Sequence, residues 1–312
     1  MTEEKGKTAA SKAKAVAGVN EKFADPLFRL ENAAALLGEL LLDPCTENGV
    51  FRADYVAGEK ANQLDRIRGQ INDKRSYATL RLGQLMCGEE AFGVDKLGDV
   101  EHAAAVTPGS LWERYQQLLS TAQIELYYCG SAEEERVARA LKEALSALPV
   151  NEGRICPDCE VRLHAGPEPS MVEESMDVTQ GKLAMGFRTG GVTCWEEDYP
   201  AMAMCNAVFG GTTLSNSTLE KMKGLILVSS GIEFDKFQQA RDEILHQLEE
   251  IRQGNMEDWE LEGTRRTMIG AHLATLDVQD RQEDFWLGQT AAGLETGIEE
   301  LVAQLEQVTR GQ

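Results

Sequence analysis

Histidine is scarce in this chain. Among 312 residues only His102, His164, His246 and His272 occur, and no two of them are four residues apart. No helix can therefore carry the His pair that grips a catalytic metal from one face. No run of eighteen apolar residues exists, so no transmembrane helix is expected. The first twenty residues are rich in Lys and Ala and lack the apolar centre of a secretory signal. Positive charge is also short: 31 Lys and Arg stand against 52 Asp and Glu, a net charge of −21. That balance argues against nucleic acid or a membrane surface as a partner and is compatible with a basic peptide. Seven cysteines, an odd number in a long chain, fit a reduced, cytoplasmic setting better than a disulfide framework.

What the chain does have is an internal echo. The segment from Phe51 to Thr107 returns, loosely, from Met256 to Thr309. In the first copy Asp54, Tyr55 and Glu59-Lys60 precede Asp73, Tyr77 and Leu82-Gly83. In the second, Asp258, Trp259 and Arg265-Arg266 precede Asp280, Phe285 and Leu287-Gly288. Each copy closes on Val-Thr, at Val106-Thr107 and Val308-Thr309. The offset of roughly two hundred residues is one ordinary domain length, which points to duplication.

The pattern of apolar residues and breakers fills in the elements. Asp25 caps a helix with Pro26 at its first position, and Leu27, Leu30, Leu37, Leu40 and Leu41 give it an apolar face. Helix continues from about Arg52 to Cys87 with a break near Asn72-Asp73. Thr107-Pro108 starts another, with Leu111, Tyr115, Leu118 and Leu119 inward. Gln123–Cys129 alternates as a strand, and a helix over about Ala132–Leu148 follows. Strands are also expected at Val161–His164, Lys182–Thr189 and Gly224–Ile232. The division is a disordered N-terminus over 1–18, a first α/β domain over 19–149, a Gly/Pro/Glu-rich linker over 150–181 and a second domain over 182–312. Several helices between strands, without regular βαβ alternation, predict an α+β fold: two duplicated halves, each a mainly antiparallel sheet with helices on one face.

The chain resembles the insulinase-like (pitrilysin-type) peptidase family, which includes the mitochondrial processing peptidases. The matching residues begin with Val19-Asn20-Glu21-Lys22-Phe23 and the Leu-rich helix ending at Asp43-Pro44. Ile71-Asn72-Asp73-Lys74, Tyr77-Ala78, Leu85-Met86-Cys87-Gly88 with Phe92, and Val106-Thr107-Pro108 follow. Phe209-Gly210-Gly211, the run from Lys223 to Ile232, and Trp286-Leu287-Gly288-Gln289 complete the set. The resemblance implies repeated α/β domains around a peptide chamber, with the first half incomplete and an exposed sheet edge prone to association. Its zinc-bearing members use His-x-x-Glu-His, in which the Glu is the general base for the metal-bound water. This chain lacks that motif. It therefore resembles the family's non-catalytic bacterial subunits, which pair with a related zinc-bearing subunit. Some of these are associated with maturation of a translation elongation factor. Zinc is then expected only in the partner, and no catalytic residue or cofactor in this chain.

Candidate sites follow from that resemblance and from the residues. Leu183, Met185 and Phe187 share a face of the strand at 182–189, whose edge could pair with an extended peptide. Phe209, Gly210 and Gly211 would border the chamber, or simply stop a helix with close backbone packing; they lack the residues of a phosphate loop. The Arg/Tyr element that usually follows this Gly-Gly in the family is missing between Gly211 and Ser217. Glu59 and Glu89 stand where the family places acidic ligands, but without a His pair they read as solvated helix residues. Cys156, Cys159 and His164 are three ligands of a zinc knuckle whose fourth position is Pro169; two thiols in a linker is the plainer alternative. Ser229 and Ser230 have no hydrolase context. An incomplete or divergent copy of an active metalloendopeptidase and a stand-alone interaction module both stay open.

Overall fold

The computed structural model describes residues 29–149, 161–164, 170–210 and 216–312. In chain order these form α1 (Leu30–Leu42), β1 (Thr46–Glu47), β2 (Val50–Phe51), α2 (Ala53–Gly69), α3 (Lys74–Met86), α4 (Val100–Ala105), α5 (Pro108–Thr121) and α6 (Glu134–Ala144). Then come β3 (Gly181–Arg188), α7 (Tyr199–Gly210), β4 (Asn216–Glu220), β5 (Leu225–Ile232), α8 (Phe237–Arg252), α9 (Asp258–Leu273), α10 (Gln279–Ala291) and α11 (Ile298–Gln307). The class is α+β, mostly helical, with antiparallel pairing in both sheets. The chain divides into two compact units: Met1–Ala61 with Ala105–Pro157 and Thr275–Ala291, and Asn62–Ala104 with Asp158–Ala274 and Ala292–Gln312. The expected cap at Asp25-Pro26 and the Val19–Phe23 match lie outside the described residues.

The echo is a repeat of elements. Helix α2, a 3₁₀ turn at Gln70–Asn72, α3 and α4 are answered by α9, a 3₁₀ turn at Ala274–Asp277, α10 and α11. Ala53 and Asp258 start the long helices, and Lys74 and Gln279 the next ones, at one common offset of 205 residues. The repeat also carries a contact. Lys60 Nζ donates to the Val106 carbonyl at 2.9 Å, and Arg265, its counterpart, donates through Nη2 to the Val308 carbonyl at 2.8 Å. In both copies a cation from the long helix satisfies the carbonyl just before the closing Thr, a group the short helix leaves without an intrahelical partner.

In the first unit, α1 packs on α6 through Leu30 and Ala34 against Val137 and Ala140. Of the Leu stripe expected to face inward, Leu30 is buried and Leu41 half-buried, whereas Leu37 and Leu40 are exposed and Ala34 and Gly38 take the buried face; Leu27 lies outside the described residues. Close approach decides this, since a Cβ at Gly38 would collide with the Ala144 carbonyl. Small residues let two backbones meet, and the leucines one turn away are left outside. Helix α5 begins as expected, with Thr107 Oγ1 accepting from Ser110 N and Pro108 at its first position. None of its residues is buried, however, and Leu111 and Leu118 are exposed. It is held by an aromatic cluster of Phe51, Trp112 and Tyr115, and by Tyr115 Oη donating to the Leu41 carbonyl at 2.6 Å.

In the second unit, β5 is the middle strand of a three-stranded sheet in the order β3-β5-β4. Ile226 and Val228 face Leu183, Phe209 and Ile244, whereas Leu225 and Leu227 face Cys87, Leu82 and Met86 of α3 and its end. Helices therefore cover this sheet on both faces, not on one. That is why β5 reads as a continuous apolar run rather than an alternating one. The expected strands at Gln123–Cys129 and Val161–His164 form no ladder among the described residues. Alternation specifies two faces, but a strand also needs a neighbour for its backbone, and none is present among the described residues. Strand β4, by contrast, was not anticipated: Asn216–Glu220 is too polar to signal itself.

Candidate functional site

The end of β3 builds the most unusual site of the second unit. Arg188 is the last residue of β3, and Lys223 lies in the turn from β4 to β5. Gly224 in that turn has φ 59°, the left-handed conformation that glycine takes without strain. Glu90 follows α3, in the loop after Cys87. The three side chains converge. Arg188 Nη2 donates to Glu90 Oε1 at 2.9 Å, and Lys223 Nζ donates to Glu90 Oε2. Side-chain exposure is 1% for Glu90 and 5% for each cation. Arg188 also donates to the Met86 carbonyl at 2.8 Å and the Arg162 carbonyl at 3.2 Å. Half-exposed Arg162 lies 3.6 Å from Glu90 at the rim and reaches out to exposed Glu89 at 3.2 Å.

Burial alone would raise the pKa of Glu90. The bonds from Lys223 and Arg188 outweigh it and hold the carboxyl below its ordinary range. Burial, reinforced by the Glu90 charge, pushes the Cys87 thiol up, so this buried sulfur is a poor nucleophile. The cluster is chemically quiet. Its acceptors and donors are turned on one another, and it ties the α3 loop to the sheet.

The residues expected to bind peptide are placed as follows. Leu183 and Phe209 are buried, and Met185 and Phe187 pack against them in the core formed with α7 and α8. The Phe187 and Phe209 rings meet edge-on with centroids 6.5 Å apart. On the opposite face of β3, Ala184 and Gly186 are small, and a Cβ at Gly186 would run into the Met86 thioether. Gly210 ends α7 where a Cβ would come within 3.2 Å of Ser217 on β4. These side chains position β3, whose outer backbone edge has no neighbour among the described strands. Gly211 lies outside the described residues, as do Cys156 and Cys159. His164 is exposed.

Among the described residues no three His, Cys, Asp or Glu side chains are grouped to hold a metal. His272 is half-buried, and burial depresses its pKa. His102 bonds Asp99 through Nδ1 at 2.6 Å on the surface. Among the described residues, donor sets of this kind do not fit a catalytic zinc. Glu59 and Glu89 are exposed. The buried carboxylate is Glu90, one residue beyond the acidic position that the sequence singled out. Nothing in the pair Glu89-Glu90 distinguishes the two; the cations that bury Glu90 are about a hundred residues or more away in sequence.

Comparison with known proteins gives consistent results. The family described as peptidase M16 inactive domain matches residues 105–268. A Bacillus subtilis protein named "Probable inactive metalloprotease YmfF" is 31% identical over 310 residues, spanning 93% of this chain and 71% of that protein. A conserved protein from Enterococcus faecalis has a similar structure, with a TM-score of 0.81 at 24% identity over 94% of this chain and 72% of that one. A peptidase M16 inactive domain from Pseudomonas fluorescens gives 0.68 at 16% identity, over 90% and 69% of the two chains. A protease from Helicobacter pylori gives 0.72 at 12% identity, over 90% and 71%. At such identities the solved structures speak for the fold alone.

Proposed function

Since the chain belongs to the peptidase M16 family, we propose that it works as a non-catalytic, peptide-binding subunit beside a zinc-bearing relative. The observation that carries this reading is the match to a family described as peptidase M16 inactive domain and to a relative named a probable inactive metalloprotease. The M16 architecture is present, yet 312 residues contain no His-x-x-Glu-His. The described residues offer no alternative metal cluster. A peptidase-like chain of this kind supplies chamber wall and binding surface, and the partner supplies metal and general base.

The surface we assign to peptide is the outer edge of β3. Leu183, Met185, Phe187 and Phe209 fix the strand from inside, so the main chain rather than these side chains would meet an extended segment. Affinity would then depend little on sequence, and the charge of −21 would favour basic segments. A link to maturation of a translation elongation factor is what the family resemblance suggests. Cys45, Cys87, Cys129, Cys194 and Cys205 are free thiols, which suits a cytoplasmic setting.

Affinity purification from native cells with mass spectrometry tests the proposal. A related subunit carrying His-x-x-Glu-His should co-purify near one to one, and peptide cleavage should belong to the complex. Recovery of the chain with no such relative would sink the pairing. Zinc-dependent cleavage by the purified chain alone would make it a divergent enzyme instead.

A further inference from the structure

Residues 62–88 are basic in an acidic chain. Arg66, Arg68, Lys74, Arg75 and Arg81 stand against Asp65 and Asp73, a net charge of +3 where the whole carries −21. Helix α3 runs through this stretch, and on it Tyr77 and Arg81, four residues apart, share a face. Together they grip one carboxylate. Arg81 Nε donates to Glu174 Oε1 at 2.7 Å, and Tyr77 Oη donates to Glu174 Oε2 at 3.0 Å. Arg81 also donates through Nη1 to the Gln84 side chain, which steadies the guanidinium. The bond from Arg81 leads in holding the Glu174 carboxyl below its ordinary range, so the clamp takes the charged form. All of these residues belong to the second unit.

The occupant is lightly held. Residues 170–178 form neither helix nor strand. Met171 and Val172 are exposed, so these apolar residues add little burial. The Arg81 and Glu174 side chains stay 45% and 33% exposed, and an ion pair that wet contributes little to stability. What the segment does match is charge: Glu173, Glu174 and Asp177, with no cation, give −3 against the +3 of residues 62–88. A segment attached through one carboxylate and easily released shows by its own chemistry what the clamp accepts. We propose that Tyr77 and Arg81 form a docking site for an acidic, extended segment of a partner protein, which Glu174 occupies in cis as an autoinhibitory contact. An Asp or Glu of the partner takes the place of Glu174, and the other cations of residues 62–88 attract the acids that flank it. An occupant in the same chain acts at high effective concentration, so neutral and basic segments are kept out. The site lies on α3, not on β3, and does not rest on pairing with a zinc-bearing relative.

The chain's own segment supplies the probe. A fluorescein-labelled peptide with the sequence of residues 170–178 is titrated with the full chain and read by fluorescence anisotropy. Glu174→Gln takes the carboxylate out of the clamp. The peptide should bind this variant at least about fivefold tighter than the wild type, in which only the released fraction is competent. A peptide with Gln in place of both Glu173 and Glu174 should not compete. Adding Arg81→Gln to Glu174→Gln should remove the gain. No binding to Glu174→Gln, equal affinity for variant and wild type, competition by the Gln peptide, or a gain that survives Arg81→Gln would each overturn the proposal. Should Glu174→Gln melt early, the wild type decides. A photo-crosslinkable form of the same peptide, at saturating concentration and mapped by mass spectrometry, must label α3. Labelling elsewhere, or none, refutes the site.

Discussion

Glu90→Gln removes one negative charge and leaves two buried cations. Arg188 and Lys223 are each 5% exposed, and Glu90 pairs with both. Arg162 brings a further positive charge to the rim. Removing one partner of a buried ion pair costs about 3–5 kcal/mol, because the remaining charge stays desolvated. The side-chain amide keeps one carbonyl acceptor, and Arg188 keeps the Met86 and Arg162 carbonyls, so the expectation stays within that range and does not exceed it. Against a total stability of about 5–15 kcal/mol, the loss is large. Urea unfolding should show the midpoint falling with little change in slope. The triple variant Glu90→Leu, Arg188→Met, Lys223→Met removes all three charges together. Replacing a whole buried network by apolar groups is often neutral or stabilising by about 1–4 kcal/mol, so the triple variant should be more stable than Glu90→Gln. A Glu90→Gln cost below about 1 kcal/mol would refute the reasoning, as would a triple variant no better than the single one. Either result would mean that water or a neighbouring group solvates the cations.

The same carboxyl sets a pH dependence. Its pKa is held below the ordinary value in the folded chain, so its contribution is complete above the unfolded carboxylate range, about 4.3, and is lost as pH falls through the folded value. Acid unfolding of the wild type should therefore be steeper than that of Glu90→Gln, measured by circular dichroism. Gly210→Ala places a Cβ against Ser217 at 3.2 Å and should cost about 1–3 kcal/mol in urea unfolding, as overpacking does. Phe209→Ala empties the centre of the core beside β3, with an expected loss of about 3–5 kcal/mol by the same measurement. Arg265→Ala frees both the Leu305 and Val308 carbonyls, whereas Lys60→Ala frees Val106. The first should destabilise more than the second, each within about 1.5–3 kcal/mol for a charged hydrogen bond, compared by urea midpoints.

Much of the fold was legible because it rests on local rules. The helix break near Asn72-Asp73 is the 3₁₀ turn before α3, where the Asp73 side chain accepts from Arg75 N and Ser76 N. Thr107-Pro108 opened a helix for the capping reason inferred. The run at 225–228 read as a buried strand and is one. The duplication was legible too, down to the paired cations at positions 60 and 265. What escaped notice depends on residues distant in sequence. Leucine periodicity marked one face of α1 as buried, but the approach of Ala144 selected Gly38 and its small neighbours. Glu90 looked like Glu89 until Arg188 and Lys223 were brought to it. The side chains chosen for peptide contact were chosen for being apolar on one face of a strand, and that property equally describes a core. Leu183, Met185 and Phe187 satisfy it by packing on Phe209, leaving the backbone edge as the group with bonds still to make. An apolar pattern identifies what must be covered, and only the register and the neighbours say by what.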